Sequence, residues 1–249
     1  EMYKPVPFYI SSCGYGLFVH NTAPRTFDFG STYDGALNVF LDDEEADLFF
    51  FLGTPREILD DYTNLTGKSP VPPLWSFGLW MSRCSYYTQE EVLEVAEKMR
   101  QVQIPCDVIH IDTGWFETNW RCDFKFSPSR FPNAKQMLDS LHDQHYHASL
   151  WMLPYFNPNN SLYPFLVEKG YVVRNPDGGL PTEDVVLDFS NADAVAWFKD
   201  TLKELFDMGV SAMKTDFGEG APRNGLYASG VSGKLEHNLY PVRYQKAIY

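Results

Sequence analysis

The sequence lacks several features that mark common classes of protein. Its four cysteines show no Cys-x-x-Cys spacing, which argues against a disulfide scaffold or a zinc knuckle and favours a reducing, cytoplasmic location. No apolar run reaches about 18 residues, so neither a membrane-spanning helix nor a membrane partner is expected. The opening residues do not form a signal peptide, and we expect the chain to begin inside a longer protein.

Basic residues are also scarce. Lys and Arg total 20 against 33 Asp and Glu, which gives a formal net charge of −13. Such a surface repels phosphate backbones, and no basic cluster offsets it, so nucleic acid is not an expected partner. No predicted strand is followed by Gly-x-Gly-x-x-Gly, which argues against a dinucleotide cofactor. An uncharged sugar is compatible with this charge balance.

Hydrophobic residues make up 44% of the chain and aromatic residues 16%, which is ample for a buried core. Residues 1–50 contain short aromatic and β-branched runs separated by turn residues, a pattern typical of a β-sandwich; the runs are 7–10, 15–19, 25–29 and 47–52. Thr54 as N-cap and Pro55 at the first helical position predict a short helix to about residue 65. The proline-rich segment 69–73 predicts a domain boundary, which divides the chain into 1–68 and 69–249.

After this boundary, predicted strands and helices alternate, which indicates a parallel sheet of the α/β class. The strands are expected at 74–81, 106–111, 148–153 and 211–215, and the helices at 88–101, 133–144 and 193–208. Polar or aromatic residues follow each strand, as in a (β/α)₈ TIM barrel, where the site lies at the carboxyl ends of the strands. A complete barrel needs about 250 residues. We therefore expect a truncated barrel of about four units.

Asp216 directly follows the fourth predicted strand. Retaining glycosidases need one carboxylate to attack the anomeric carbon and a second acid about 5–5.5 Å away to protonate the leaving oxygen. Alternation along a strand places Lys214 on the same face as Asp216, where an ammonium group favours an ionised carboxylate. An aspartate after a strand is equally typical of an N-cap for the next helix. The two interpretations stay open on spacing alone.

Several separate motifs occur in a fixed order. They are 75–80 (Trp-Ser-Phe-Gly-Leu-Trp), Asp112 followed by 122–124 (Cys-Asp-Phe), 131–132 (Phe-Pro), Trp151, 187–191 (Leu-Asp-Phe-Ser-Asn) and 214–219 (Lys-Thr-Asp-Phe-Gly-Glu). In this order the motifs resemble glycoside hydrolase family 31, of the α-xylosidase and α-glucosidase type. The resemblance covers nearly the whole chain.

The resemblance implies a retaining α-glycosidase that hydrolyses α-linked xylosides or glucosides through a covalent glycosyl-enzyme intermediate. Asp216 would be the nucleophile, Asp112 and Lys214 would contact the sugar, and Trp151 would form part of the pocket wall. Glu219 would lie next to these residues without contacting the sugar itself, as a charge in the first turn of a helix. The general acid/base would lie beyond residue 249, and neither a metal nor an organic cofactor is expected.

The same resemblance implies that 1–68 is the end of an N-terminal β-sandwich with a connecting helix, and that 69–249 is the first half of the catalytic barrel. The sequence departs from the α-xylosidase pattern after Asp112, where Thr113-Gly114 stand in place of Cys-Phe. Smaller residues predict a more open sugar pocket, unless Trp115 fills the space. Thr113 and Trp115 are therefore further candidate sugar-binding residues, and a preference for xylose over glucose is in doubt.

Three rival functions stay open on the sequence alone. An α-transglycosylase would differ only in its acceptor. A metal-dependent barrel hydrolase is suggested by His110-x-Asp112, although His110 fits better as a barrel residue hydrogen-bonded by Asp112. A non-catalytic carbohydrate-binding protein would bind sugar without turnover. In each case the expected partner is a small oligosaccharide or glycoside, and a homo-oligomer is compatible with the sequence.

Overall fold

Two structural units follow one another along the chain. The computed structural model describes residues 5–249, and the chain divides into the units Glu1–Val71 and Pro72–Tyr249. Residues 1–4 of the predicted β-region lie outside the described residues. Among the described helices, none is long and apolar enough to cross a bilayer.

The first unit is built from β-strands and one helix. Strands β1 (Phe8–Ser11), β2 (Tyr15–His20), β3 (Arg25–Phe29), β4 (Leu37–Leu41) and β5 (Asp47–Leu52) precede helix α1 (Pro55–Thr66). An antiparallel sheet has the order β1-β2-β5, and β3 pairs with β4 in a separate hairpin. The four predicted strands are confirmed, but β4 was not predicted, because Asn38 interrupts its apolar run.

Helix α1 begins as predicted. Thr54 accepts a hydrogen bond from the Glu57 amide at 3.4 Å, and the Glu57 carboxylate accepts one from the Thr54 amide at 2.8 Å. These two bonds form a capping box, which satisfies two of the amide groups that a helix start leaves unpaired. The hydrogen bonds from the Thr54 amide and hydroxyl lower the pKa of Glu57.

The second unit is a parallel sheet flanked by helices. In chain order its elements are β6 (Trp80–Met81), α2 (Gln89–Gln101), β7 (Val108–Ile111), α3 (Ala134–Asp143), β8 (His147–Met152), β9 (Tyr155–Phe156), α4 (Tyr163–Lys169), β10 (Val185–Val186), α5 (Ala192–Met208), β11 (Ala212–Thr215) and α6 (Gly233–Ile248). The parallel strands lie in the order β6-β7-β8-β11, so consecutive β/α units are neighbours. Strands β9 and β10 pair antiparallel in a small ribbon after β8.

The first predicted strand of this unit is mostly wrong. Residues Leu74–Phe77 form a 3-10 helix, and only Trp80–Met81 pair with β7. Ser76 donates a side-chain hydrogen bond to the Pro73 carbonyl at 2.7 Å, and the Trp80 indole donates to the Ser76 carbonyl at 3.0 Å. These local bonds compete with sheet pairing, which a short apolar run does not reveal.

Burial in the second unit follows the parallel-sheet pattern. All four residues of β7 are buried, as expected for a strand covered on both faces. On α5, Ala194, Leu202 and Leu205 are buried. Phe198 is fully buried beside them, and Trp197 packs at the margin of the core.

Candidate active site

Asp216 lies at the carboxyl end of β11, where its side chain meets groups from two strands. One carboxylate oxygen accepts a hydrogen bond from the Trp151 indole at 2.9 Å and lies 3.6 Å from the Lys214 ammonium nitrogen. The other accepts from the Phe217 amide at 3.1 Å. The N-cap alternative is wrong, because the next helix, α6, starts at Gly233 with Ser232 as its cap.

Asp112 occupies the equivalent position after β7. Its Oδ2 accepts hydrogen bonds from His110 Nε2 at 2.9 Å and from Lys214 Nζ at 2.8 Å. The other nitrogen of His110 lies 3.0 Å from Ser149 Oγ on β8, which confirms His110 as a hydrogen-bonded barrel residue. Burial alone would raise the pKa of Asp112, but the bonds from His110 and Lys214 and the lysine charge outweigh it and hold the pKa below its usual value.

Lys214 links the two carboxylates. Burial would lower its pKa, but the hydrogen bond and charge of Asp112, together with the charge of Asp216, raise it above its ordinary value. The ammonium group therefore stays charged well above neutral pH. Strand alternation explains the arrangement, since positions 214 and 216 share one face of β11 and positions 110 and 112 share one face of β7.

Trp151 does not form an open pocket wall, which corrects the prediction. Its side chain is fully buried on β8, and the rings of Trp120 and Phe217 lie roughly perpendicular to it at centroid distances of 5.4 and 6.4 Å. The indole donates its hydrogen bond to Asp216. Trp151 is therefore placed to orient the carboxylate, while Trp120 and Phe217 keep exposed ring surface.

Thr113 and Trp115 are buried, which corrects their prediction as sugar contacts. The Trp115 indole donates a hydrogen bond to the Trp151 carbonyl at 2.9 Å and thus belongs to the core under the site. The expected open space beside Gly114 is also absent. A Cβ atom at Gly114 would lie 2.5 Å from Ser85 Oγ and 2.6 Å from the Tyr86 carbonyl oxygen, so the segment after β6 already occupies this position.

Glu219 lies in an exposed turn, so the prediction of a helical first-turn charge is wrong. The loop that carries it is held by Tyr155, whose hydroxyl oxygen accepts hydrogen bonds from the Gly218 amide at 2.7 Å and the Gly220 amide at 2.8 Å. Burial raises the pKa of Tyr155 and outweighs the opposite effect of the hydrogen bonds from the Gly220 and Gly218 amides. Its phenol therefore stays neutral while it supports the segment after Asp216.

Phe217 is a site residue that sequence reasoning did not single out. Its backbone has φ of 61°, in the left-handed region that disfavours a bulky side chain. Trp120 shares this property with φ of 70°. Such strain concentrates at functional sites. The aromatic type at both positions is visible in the sequence, but the backbone conformation and the contact with Trp151 are not.

Together the site contains two carboxylates, one ammonium group and two partly exposed aromatic side chains, Trp120 and Phe217, near the carboxyl ends of parallel strands. Carboxylates accept hydrogen bonds from sugar hydroxyls, and aromatic rings stack on the apolar faces of sugars. Within residues 5–249, no three or more His, Cys, Asp or Glu side chains lie close enough to hold a metal ion.

The family follows from sequence comparison with known domains. Residues 69–249 match the glycosyl hydrolases family 31 TIM-barrel domain, and residues 1–28 match the glycosyl hydrolase 31 N-terminal galactose mutarotase-like domain. The chain belongs to glycosyl hydrolase family 31. The resemblance seen in its motifs is confirmed, and the second unit belongs to a TIM-barrel domain.

Among its relatives, the α-xylosidase XylQ of Lactiplantibacillus pentosus is 35% identical over 100% of this chain and 34% of its own length. The α-glucosidase 2 of Bacillus thermoamyloliquefaciens is 29% identical over 88% of this chain and 29% of its own length. The solved dextranase of Flavobacterium johnsoniae, complexed with isomaltotriose, is similar with a TM-score of 0.88 and 26% identity, over 99% of this chain and 32% of that one. The chain thus spans about a third of the length of these proteins.

Proposed function

We propose that the protein containing this chain is a retaining α-glycosidase with Asp216 as its nucleophile. The observation that carries the proposal is the Asp216 carboxylate at the end of β11, hydrogen-bonded by Trp151 and placed 3.6 Å from Lys214. Membership of family 31 and relatives named as α-xylosidase and α-glucosidase support an α-xyloside or α-glucoside as substrate. Asp112 and Lys214 bind hydroxyl groups of the sugar whose anomeric carbon faces Asp216.

The reaction proceeds in two displacements. First, an Asp216 oxygen forms a bond to the anomeric carbon as the bond to the leaving oxygen breaks, and a general acid protonates that oxygen. The same residue then acts as base on water, whose oxygen attacks the anomeric carbon and releases Asp216. Two inversions give net retention. The second carboxyl group lies beyond residue 249 in our proposal, on a later loop of the barrel.

The proposal also assigns the two parts of the chain. Residues 1–68 are the end of the N-terminal β-sandwich with its connecting helix, and residues 69–249 are the first four β/α units of the catalytic barrel. The parallel order β6-β7-β8-β11 supports this assignment, because consecutive units lie side by side as they do in a barrel. Trp151 acts as a positioning residue, since its buried indole donates a hydrogen bond to the Asp216 carboxylate.

The test uses the full-length protein and nitrophenyl α-glycosides of xylose, glucose and galactose. We expect turnover of the xyloside or the glucoside, and ¹H NMR should detect the α-anomer as the first product. Asp216→Ala should lower kcat by several orders of magnitude while the circular dichroism spectrum stays unchanged. A β-anomer as first product, or near-normal turnover by Asp216→Ala, would remove the basis of the proposal.

A further inference from the structure

A buried serine is linked to Asp112 through His110. Ser149 of β8 pairs with His110 of β7 in the register of the two strands, and its side chain is fully buried. The Ser149 hydroxyl oxygen lies 3.0 Å from His110 Nδ1, and His110 Nε2 lies 2.9 Å from Asp112 Oδ2. The three side chains therefore form a continuous hydrogen-bonded chain that ends at a carboxylate of the site. Because it is buried, Ser149 reaches a substrate only through His110 and Asp112.

The carboxylate determines the direction of these hydrogen bonds. An ionised carboxylate only accepts, so His110 Nε2 carries a proton and donates it to Asp112. In a neutral imidazole Nδ1 is then an acceptor, and the Ser149 hydroxyl donates to it. The group that binds one nitrogen of a histidine ring thus determines whether the other nitrogen is protonated.

Protonation of His110 at Nδ1 would leave a buried proton without a partner. Ser149 would then have to accept, and among residues 5–249 its own hydroxyl proton would have no acceptor. An unpaired polar group costs free energy in a buried position. With the proton on Nδ1 alone, the lone pair of Nε2 would also face the Asp112 carboxylate at 2.9 Å. Both effects favour donation from Ser149 to His110 and from His110 to Asp112.

Both protein donors to Asp112 bind the same oxygen. His110 Nε2 lies 2.9 Å and Lys214 Nζ lies 2.8 Å from Oδ2. Among the hydrogen bonds of the described residues none reaches Oδ1, and 15% of the Asp112 side-chain surface is exposed. Two donors on one oxygen hold the carboxylate in one orientation and leave the other oxygen free to accept from a ligand.

Resting on the proposed function, we propose that Ser149 is a positioning residue for the carboxylate that binds the sugar. Its hydroxyl keeps the His110 proton on Nε2, and His110 in turn holds Asp112 with Oδ1 available to a hydroxyl group of the sugar. Ser149 and Trp151 share one face of β8. This strand therefore supports both carboxylates, since Ser149 orients Asp112 through His110 and Trp151 orients Asp216 directly.

A double-mutant cycle in the full-length protein tests this connection. The measured quantity is kcat/KM for the nitrophenyl α-glycoside that the wild type hydrolyses. Ser149→Ala should lower kcat/KM about tenfold, because the His110 proton is no longer held on Nε2. In an Asp112→Ala background the same substitution should change kcat/KM less than about twofold, because no carboxylate is left to position. Losses that multiply in the double variant would overturn the proposal, since Ser149 would then act independently of Asp112.

Ser211→Ala is the matched control. Ser211 Oγ lies 3.3 Å from His147 Nδ1, so this variant removes the same kind of contact at the amino-terminal ends of the strands, away from the site. It should leave kcat/KM within about twofold of the wild-type value.

Ser149→Cys tests whether donation from position 149 matters, because a thiol is a weak donor of similar size. Its kcat/KM should exceed that of Ser149→Ala by about threefold or more. Equal values for the two variants would contradict the proposal. Unchanged kcat/KM in Ser149→Ala would overturn the role of Ser149 alone. A wild type that hydrolyses none of the glycosides would instead overturn the proposed function, and the role of Ser149 with it.

Discussion

Lys214 contacts two carboxylates at once, and this double contact determines how the site responds to pH. The depressed pKa of Asp112 means that its ionised form stabilises the folded state above the unfolded value of about 3.9. This contribution disappears as the pH falls through the lower, folded value. For Lys214 the pH dependence is reversed, because its pKa is raised in the folded state. Its charged form stabilises the folded state below the unfolded pKa of about 10.4, and this stabilisation is lost as the pH rises through the folded value.

A comparison of the wild type with Asp112→Asn tests this dependence. We expect the variant to melt at a lower temperature at pH 7, because it loses the charged partner of Lys214 and His110. The difference in melting temperature should shrink as the pH falls below about 3.9 and through the lower, folded value, where the wild-type carboxyl also becomes protonated. A difference that stays constant over this range would show that ionisation of Asp112 does not stabilise the fold.

The structure predicts that position 114 does not tolerate any side chain larger than that of glycine. Gly114→Ala should destabilise the protein by about 1–3 kcal/mol, because the new methyl group meets Ser85 and the Tyr86 carbonyl at distances that force a backbone shift. Thermal unfolding of the full-length protein measures the effect.

Gly179→Ala is the control for this prediction, since its added Cβ has its closest contact, 3.0 Å, with the side chain of Asp177 and should cost much less. Equal melting temperatures for Gly114→Ala and the wild type would contradict the packing around Gly114. A pocket that Gly114 leaves open would accept the methyl group without loss, so the comparison also tests the corrected account of this position.

In the second unit, helix α5 depends on Asn191, the N-cap residue that precedes it. The Asn191 side chain caps the helix by accepting hydrogen bonds from the Asp193 amide at 2.9 Å and the Ala194 amide at 3.3 Å. It also donates to the Gly170 carbonyl at 3.2 Å. One residue therefore fixes both the start of α5 and the end of α4.

Asn191→Ala should lower stability by about 1–2 kcal/mol, because the cap bonds are lost. Asn191→Asp keeps the accepting oxygen and should retain most of the stability, which separates the cap from the bond to Gly170. Urea denaturation of the two variants provides the measurement. If both variants lose the same amount, the bond to Gly170 rather than the cap stabilises this region.

Most elements of the second unit could be predicted because their patterns are local. Strand β7 is a short buried run that is apolar except for His110, and α2 and α5 carry apolar residues at helical spacing with a capping residue in front. The segment before β6 could not be predicted, since its 3-10 turn depends on bonds between Pro73, Ser76 and Trp80 that an apolar run conceals. Strand β4 of the first unit could not be predicted either, because it forms through its pairing with β3 although its local sequence pattern is weak.

At the scale of the whole molecule, a direct experiment distinguishes metal-dependent hydrolysis from hydrolysis by carboxyl groups alone. The proposed mechanism assigns no step to a metal ion, so extensive dialysis of the full-length protein against EDTA should leave kcat within about twofold of its starting value. A metal-dependent hydrolase would lose activity and regain it when a divalent cation is added. Recovery of that kind would favour the rival hypothesis and remove Asp216 from the role of nucleophile.

The sequence by itself determined the family and the positions of Asp216, Asp112 and Lys214, because motif order and strand alternation are properties of the chain in one dimension. The tertiary structure decided which neighbours surround them. Trp115 bonds to a residue 36 positions away, and Gly114 packs against a residue 29 positions before it. Contacts between separate strands and loops bury Trp115 and Trp151 and fill the space beside Gly114. The local sequence pattern does not reveal such contacts, because they join residues that are far apart in the chain.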